Sequence, residues 1–347
     1  MIIQKYLQPV LSSLLIIVVF SLVLLGLTPP ISRDALTHHL FIPKLYLLHG
    51  SIYEIPELVQ SYYPGNLELL YTILLSTNYD FLPKLLHLGF GIMCSLLIYH
   101  ELRDRLGKSW ALSGSLFFLT TPIIINLATK AYVDLGLSFF TTAGFIFMMK
   151  YGRSSRLRDL LVAATFAGLC AGTKYNGFIS VFLLGCFIPF LRNKPDASQI
   201  LVIRNFLLFF LISGLVASPW LVRNYFWIHN PVYPLFNTIF NPTHPVDPTG
   251  GMNPFITRLI IYQETIIETL LIPVRVFFQG QDNNPQFFDG VLNPFILCFV
   301  FLLALPTGKK KSPSMYLKSM LWFIVFFFLF TFLLRVARIR YIVPVLP

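Results

Sequence analysis

Asp34 stands in the run Ile31-Ser-Arg-Asp-Ala-Leu-Thr-His-His39. On a helix, His38 would lie one turn beyond it. A carboxyl half-buried among apolar neighbours rises in pKa, which suits it to accept a proton as a general base. The rival reading is a helix N-cap, because Asp is favoured there and a helical-looking run follows. His38 and His39 offer metal ligands beside Asp34, but adjacent histidines point to different helix faces and no Glu or Cys completes a set. Interfacial histidines explain them better, and no metal site is assigned.

Asp134 heads an apolar run in Lys130-Ala-Tyr-Val-Asp-Leu-Gly136. A carboxylate at such a place either faces a cavity or caps a helix with Lys130 as its ion-pair partner. Lys174 lies in Ala171-Gly-Thr-Lys-Tyr-Asn-Gly177, between two short apolar runs. It suits an anion such as phosphate, or it snorkels from a simple hairpin. Arg223, and the group Arg335, Arg338 and Arg340, offer the same chemistry: fixed cations for a phosphate, or contacts to ordinary anionic headgroups. Tyr62-Tyr63-Pro64-Gly65-Asn66-Leu67-Glu68 precedes the short apolar stretch Leu69–Leu75. Its tyrosines fit an aromatic belt or a carbohydrate platform. No phosphate-binding loop, dinucleotide fingerprint, zinc-protease motif or nucleophile elbow occurs.

The elements that must hold these residues are membrane helices. Of the 347 residues, 56% are apolar, 16% aromatic and only 12% charged, against about a quarter charged in soluble domains. This excludes a soluble enzyme and a disordered chain. Cys94, Cys170, Cys186 and Cys298 lie in or beside apolar runs with no close pair, which argues against a disulfide framework or zinc cluster. Nine spans are predicted: Val10–Leu27, Phe81–Tyr99, Trp110–Ala128, Leu135–Met149, Leu160–Gly172, Phe178–Leu191, Ile200–Trp220, Val291–Leu305 and Leu317–Leu334. The first reads as an uncleaved anchor, since Thr28-Pro29-Pro30 follows instead of a cleavage pattern.

With the N-terminus in the cytoplasm, the inner side receives 15 cations and four anions, and the outer side 11 of each. The whole net charge of +11 therefore sits on the inner loops, as the positive-inside rule requires. It is a topology signal and not a nucleic-acid patch. Two outer segments are long, 28–80 and 221–290, and loops of that length are usually functional. Within the second, Phe255–Ile272 reads as a helix lying at the interface. The chain closes on Arg335–Pro347, apolar again after the ninth span. This reads as the start of a tenth helix and predicts a C-terminally truncated product.

Several of these pieces recur together: Arg33-Asp34; Tyr62-Tyr63-Pro64 before the second span; Ala131-Tyr-Val-Asp-Leu-Gly136; Gly172-Thr-Lys-Tyr175; Ser218-Pro-Trp-Leu-Val-Arg-Asn-Tyr225 with Asn230-Pro-Val-Tyr-Pro-Leu-Phe236; and Arg340-Tyr-Ile-Val-Pro344. In order and spacing they resemble the GT-C glycosyltransferases, a superfamily that includes protein O-mannosyltransferases, the lipid A aminoarabinose transferase and many bacterial relatives. The resemblance spans nearly the whole chain. It implies an all-α polytopic membrane protein with interfacial helices in two long outer loops. It implies a polyprenyl-phosphate sugar as donor, a glycan, lipid or protein acceptor, and work on the non-cytoplasmic side, with inversion.

Under it, Asp34 maps to the catalytic base and Asp134 to a second acidic residue. Lys174, Arg223 and Arg340 map to holders of the lipid phosphate. His38, Tyr63, Lys130 and Arg338 complete the expected substrate-binding set. No cofactor is expected, although a divalent metal stays open. A bacterial inner membrane, with the site on its periplasmic face, is the expected location. Two other classes stand beside this reading: a multi-span transporter or flippase, and a non-catalytic partner in surface-glycan assembly.

Overall fold

The computed structural model describes residues 2–191, 199–242, 254–298, 315–334 and 337–347. Among these residues the secondary structure is helical, with no strand. Helix α1 is Ile2–Gly26, α2 Phe41–His49, α3 Asn66–Leu75, α4 Leu82–Leu106 and α5 Lys108–Leu119. Then follow α6 Pro122–Ala128, α7 Asp134–Ser154, α8 Leu157–Ala171, α9 Gly177–Phe187 and α10 Gln199–Ile228. A helix over Met315–Leu334 and a 3-10 segment over Ile339–Val345 close the described chain.

Among the described residues, four helices are long and apolar enough to cross a membrane: Tyr6–Gly26 of α1, α4, α10 and Met315–Phe332. Their outward faces fit lipid. Ile16, Ile17 and Phe20 of α1 are exposed, as are Leu207, Leu211 and Leu215 of α10 at four-residue spacing, a stripe that only an apolar solvent favours. The expected third span is a pair, α5 and α6, bent by 66°. Thr121 is extended and Pro122 opens α6, because a proline disfavours helical backbone in the residue before it. Counted as one span, the pair gives five.

Among the described residues, length and composition give four or five spans, and the count of nine is not confirmed. α8 has 15 residues and α9 has 11, too few for a full crossing. α7 has 21 residues but opens on Asp134 and carries polar Ser138, Thr141 and Thr142; its side chains are mostly buried against protein. Residues 299–305 of the expected span Val291–Leu305 lie outside the described residues, as do Arg192, Lys194, Lys309–Lys311 and Arg335.

α7 is the central post, with α4, α8 and the Ile339–Val345 segment packed on it. α8 fits between α7 and α10 because Ala163, Ala164, Ala167 and Ala171 are small. At Gly168 an added Cβ would stand 2.6 Å from the Ser213 carbonyl oxygen. Ser213 Oγ donates to the Ala164 carbonyl at 3.0 Å, so the two helices cross at backbone range.

Three other expectations change. α10 runs through Pro219 to Ile228, so the second long loop starts after Ile228 and not at Leu221. Pro219 has no N–H for the Leu215 carbonyl, and Ser218 Oγ donates to that oxygen instead, at 2.8 Å. The continuous interfacial helix expected over Phe255–Ile272 is broken at Gln263, where φ is 54°. Thr265 and Glu268 form a capping box that starts a new helix, Ile266–Leu270. Glu264 turns inward to Arg258 (2.7 Å and 2.9 Å) and to Arg275 (3.0 Å). In the tail, Ile339–Val345 forms 3-10 turns. Ile339, Ile342 and Val343 are buried, and Ser138 Oγ of α7 holds the Val343 carbonyl at 3.1 Å, which keeps the segment as 3-10 turns.

Candidate active site

The segments after α1, before α3, between α8 and α9, late in α10 and before the C-terminal turns converge on one cavity of about 330 Å3. Asp34, His38, Tyr63, Lys174, Arg223, Arg338 and Arg340 all line it. Seven of the nine residues expected from the sequence thus share one wall. Asp134 sits directly behind it, its side chain 1% exposed, and pairs with Lys174 at 2.7 Å. Lys130 lines a second cavity of about 400 Å3 that shares Asp34, His38, Arg338 and Arg340 with the first.

Asp34 precedes a π-helical turn, Ala35–His39, closed by the Leu40 N–H on the Ala35 carbonyl at 2.8 Å. Its carboxylate makes no capping bond. It accepts from Arg340 Nη1 at 2.5 Å, across 306 residues of chain. Burial on its own raises this carboxyl, but Arg340 outweighs it and brings the pKa down to about 2. The expected rise is therefore reversed: Asp34 is ionised and masked by an arginine.

The π turn also overturns the expectation for the histidines. A five-residue repeat widens the turn, so His38 and His39 both line the cavity, with ring centroids 4.1 Å apart. His39 Nδ1 meets Glu68 Oε1 at 2.7 Å. Burial, and then the charge of Lys174, lowers His39 to about 3; burial raises Glu68 to about 7. Between those values the contact joins two uncharged groups. Burial and the neighbouring His39 bring His38 down to about 3 as well. Glu68 Oε2 has no hydrogen-bond partner, and Glu68 lines the cavity. The sequence offered no role for Glu68, since its partner His39 lies 29 residues away.

Asp134 is the first residue of α7, and its Oδ2 has no hydrogen-bond partner. Its expected local partner, Lys130, lies elsewhere, with its ammonium 5.5 Å from the Tyr132 ring. Lys174 takes that place from the Gly172–Gly177 turn, and its ammonium also lies 4.8 Å from the Tyr341 ring. The approach to Asp134 is held by His87 of α4, another residue the sequence did not flag. His87 Nδ1 contacts the Leu127 and Lys130 carbonyls at 3.1 Å and 2.9 Å, and Nε2 accepts the Leu135 N–H at 2.9 Å. These bonds fix one neutral tautomer, donor at Nδ1 and acceptor at Nε2.

Arg223 lies 4.7 Å from both the Trp220 and Trp227 rings. It donates to Asn224 Oδ1 at 2.8 Å and to the Tyr63 carbonyl at 3.3 Å. Among the described residues it has no carboxylate partner, unlike Lys174 with Asp134, Arg340 with Asp34 and Arg338 with Asp289 (3.5 Å). Asn66 ties these parts together. Its N–H donates to Gly172 O at 2.9 Å, its Nδ2 to Leu169 O at 3.3 Å, and its Oδ1 accepts from Trp220 Nε1 at 2.8 Å. Tyr63 and Tyr175, with ring centroids 5.5 Å apart, add an aromatic wall. The result is an ionised carboxylate beside four cations in an aromatic pocket, suited to an anionic ligand with a hydroxyl-bearing ring.

Residues 81–223 match the family model described as dolichyl-phosphate-mannose-protein mannosyltransferase, a family of the GT-C superfamily. The stretch runs from the start of α4 to late α10. It contains Asp134, Lys174 and Arg223, and it excludes Asp34, Glu68 and Arg340. No curated protein matches the chain. The family implies a glycosyltransferase of the GT-C type using a polyprenyl-phosphate sugar. With the apolar helices it indicates an integral membrane protein.

Proposed function

We propose that this chain transfers a sugar from a polyprenyl-phosphate donor to an acceptor hydroxyl, with inversion, on the non-cytoplasmic face of the membrane. One observation carries the reading: Asp34, an ionised carboxylate, stands against Arg340 in a cavity that also holds Lys174, Arg223 and Arg338. Asp34 takes the acceptor proton as the acceptor oxygen bonds to the anomeric carbon. The bond from that carbon to the phosphate oxygen breaks, and its electron pair leaves with the lipid phosphate. The phosphate gains one negative charge in this step. Arg223, with no carboxylate of its own among the described residues, is placed to answer it. Lys174, fixed by Asp134, and Arg338 hold the phosphate from other sides. The basic residues of the opposite end, among them Arg103, Arg105, Arg153 and Arg156, support a cytoplasmic position for that end.

The test is loss and rescue. Removing the gene from its source cell should remove one sugar from one class of glycan, glycolipid or glycoprotein, read by mass spectrometry. Wild type should restore it. Asp34→Asn keeps the shape and removes the base, so the rate should fall about 10²–10⁴-fold. Full rescue by a folded Asp34→Asn protein leaves Asp34 without a base role, and retained anomeric configuration in the product rules out the single displacement.

A further inference from the structure

Asp34 and Arg340 hold one another at the place where the two cavities meet. Both residues line both cavities, together with His38, Gln60 and Arg338. The first cavity is aromatic and cationic, with Tyr63, Tyr175, Trp220, Lys174 and Arg223 in its wall. The second is lined by hydrogen-bonding groups of mixed sign, among them Asn126, Lys130, Asp282, Asn283 and Asp289. The ion pair is the partition between them.

Arg340 is committed to that pair. Its Nη1 lies on Asp34, its guanidinium is 5.5 Å from the rings of Tyr132 and Tyr341, and its side chain is 11% exposed. Its Nε is buried and has no hydrogen-bond partner. A guanidinium that feels the charge of Asp134 but hydrogen-bonds only the Asp34 carboxylate, with its Nε–H orphaned, is under-satisfied, and a tetrahedral oxyanion supplies the acceptors it lacks. A carboxylate locked on an arginine is at the same time a poor proton acceptor, because removing it from the cation is costly.

We propose that the Asp34 carboxylate occupies the phosphate subsite of Arg340 at rest, and that the lipid phosphate displaces it, which frees Asp34 as a base and opens the two cavities to each other. The proposal rests on the transferase reading above and adds an order to it. The donor binds first. Only then does the acceptor, in the second cavity, meet a carboxylate able to take its proton. A protein without donor holds its base masked, which protects against idle chemistry.

Competition for one arginine has a signature that ordinary charge repulsion lacks: it disappears with the arginine. The full chain in lipid nanodiscs would be titrated with farnesyl monophosphate, for wild type, Asp34→Asn, Arg340→Gln and the double variant. Asp34→Asn should bind about tenfold tighter than wild type or better, since a charge-assisted hydrogen bond becomes free for the ligand. In the Arg340→Gln background the same substitution should change affinity by less than about threefold, as the cycle isolates the pairwise term. Asp34→Ser, with unfolding midpoints for all variants, serves if Asp34→Asn folds poorly. Binding by wild type with no gain in either Asp34 variant overturns the proposal, as does a gain that persists without Arg340. No binding by wild type or by any variant removes the lipid-phosphate reading itself.

Discussion

The two ends of the helical bundle carry charge in opposite ways. Where α4 finishes, the partly exposed Arg105 and Glu101 pair one turn apart at 2.9 Å, and the well-exposed Arg103 and Asp104, neighbours in the chain, lie 3.8 Å apart. Arg105 and Arg153 rest over the Tyr316 ring at 3.7 Å and 5.2 Å. At the Asp34 end the partners are 29, 40 and 306 residues apart in the chain, and each pair has at least one member well shielded from solvent. Local, wet pairs contribute little and cost little. Long-range, desolvated pairs are costly to assemble and are weak sources of stability. Charge of the first kind marks which side of the membrane a loop lies on. Charge of the second kind persists where chemistry requires it.

The largest expected difference is in stability. Lys174→Ala leaves Asp134, with its side chain 1% exposed, as a buried charge without its cation. A loss of about 2–3 kcal/mol is expected, somewhat softened because solvent still reaches Lys174. Arg105→Ala should cost less than about 1 kcal/mol. Denaturation in matched detergent reads both. Equal, small losses would remove the distinction between the ends. Adding Asp134→Asn to Lys174→Ala should recover part of the loss, since the stranded charge is then gone.

Next comes the backbone approach that seats Asn66. A Cβ at Gly172 would meet Asn66 Nδ2 at 2.5 Å, whereas one at Gly214 meets nothing within 4 Å. Gly172→Ala should therefore cost about 1–3 kcal/mol through overpacking and loosen the Trp220 contact that borders the cavity. Gly214→Ala should be neutral, or stabilise by up to about 1 kcal/mol through helix propensity. A neutral Gly172→Ala would show that the Asn66 side chain can leave its two bonds without consequence.

What the sequence made legible follows from the range of the forces involved. Apolar runs report helices directly, so α1, α4, α10 and the Met315–Leu334 helix emerged over their predicted spans, although the first three run seven or eight residues further at one end. The fate of Leu135–Met149 did not, because burial against protein or lipid depends on neighbours far along the chain. Asp34, Asp134, Lys174, Arg223 and Arg340 were singled out because a charge beside an apolar run is conspicuous. Their partners were not. Asp134 selects Lys174 over the nearby Lys130, and Asp34 selects Arg340, choices made by helix packing. The π turn at Ala35–His39 has no periodicity to announce it, so the pairing of His39 with Glu68 stayed hidden. Pro219 misled for a simple reason: the Ser218 hydroxyl that repairs the helix is a single neighbouring atom, invisible to a hydropathy window.

The smallest effect is the most specific to the Asp34 end. Burial raises Glu68 from its usual 4.5 to about 7, so the fold binds this proton more tightly than the unfolded chain does. Its contribution to stability is complete below pH 4.5 and is lost as pH rises through about 7. His39 runs the other way: lowered to about 3, it contributes above pH 6.5 and loses that as pH falls. The two overlap in the wild type and obscure each other. Glu68→Gln removes only the first, and Gln keeps an acceptor and a donor for His39. The variant should gain on the wild type between pH 5 and pH 8, by a difference on the order of 1 kcal/mol, read as a rising offset between their unfolding midpoints. A flat offset would mean that Glu68 keeps its proton equally well in both states, and that its place in the cavity wall is as wet as the Arg105–Glu101 pair at the other end.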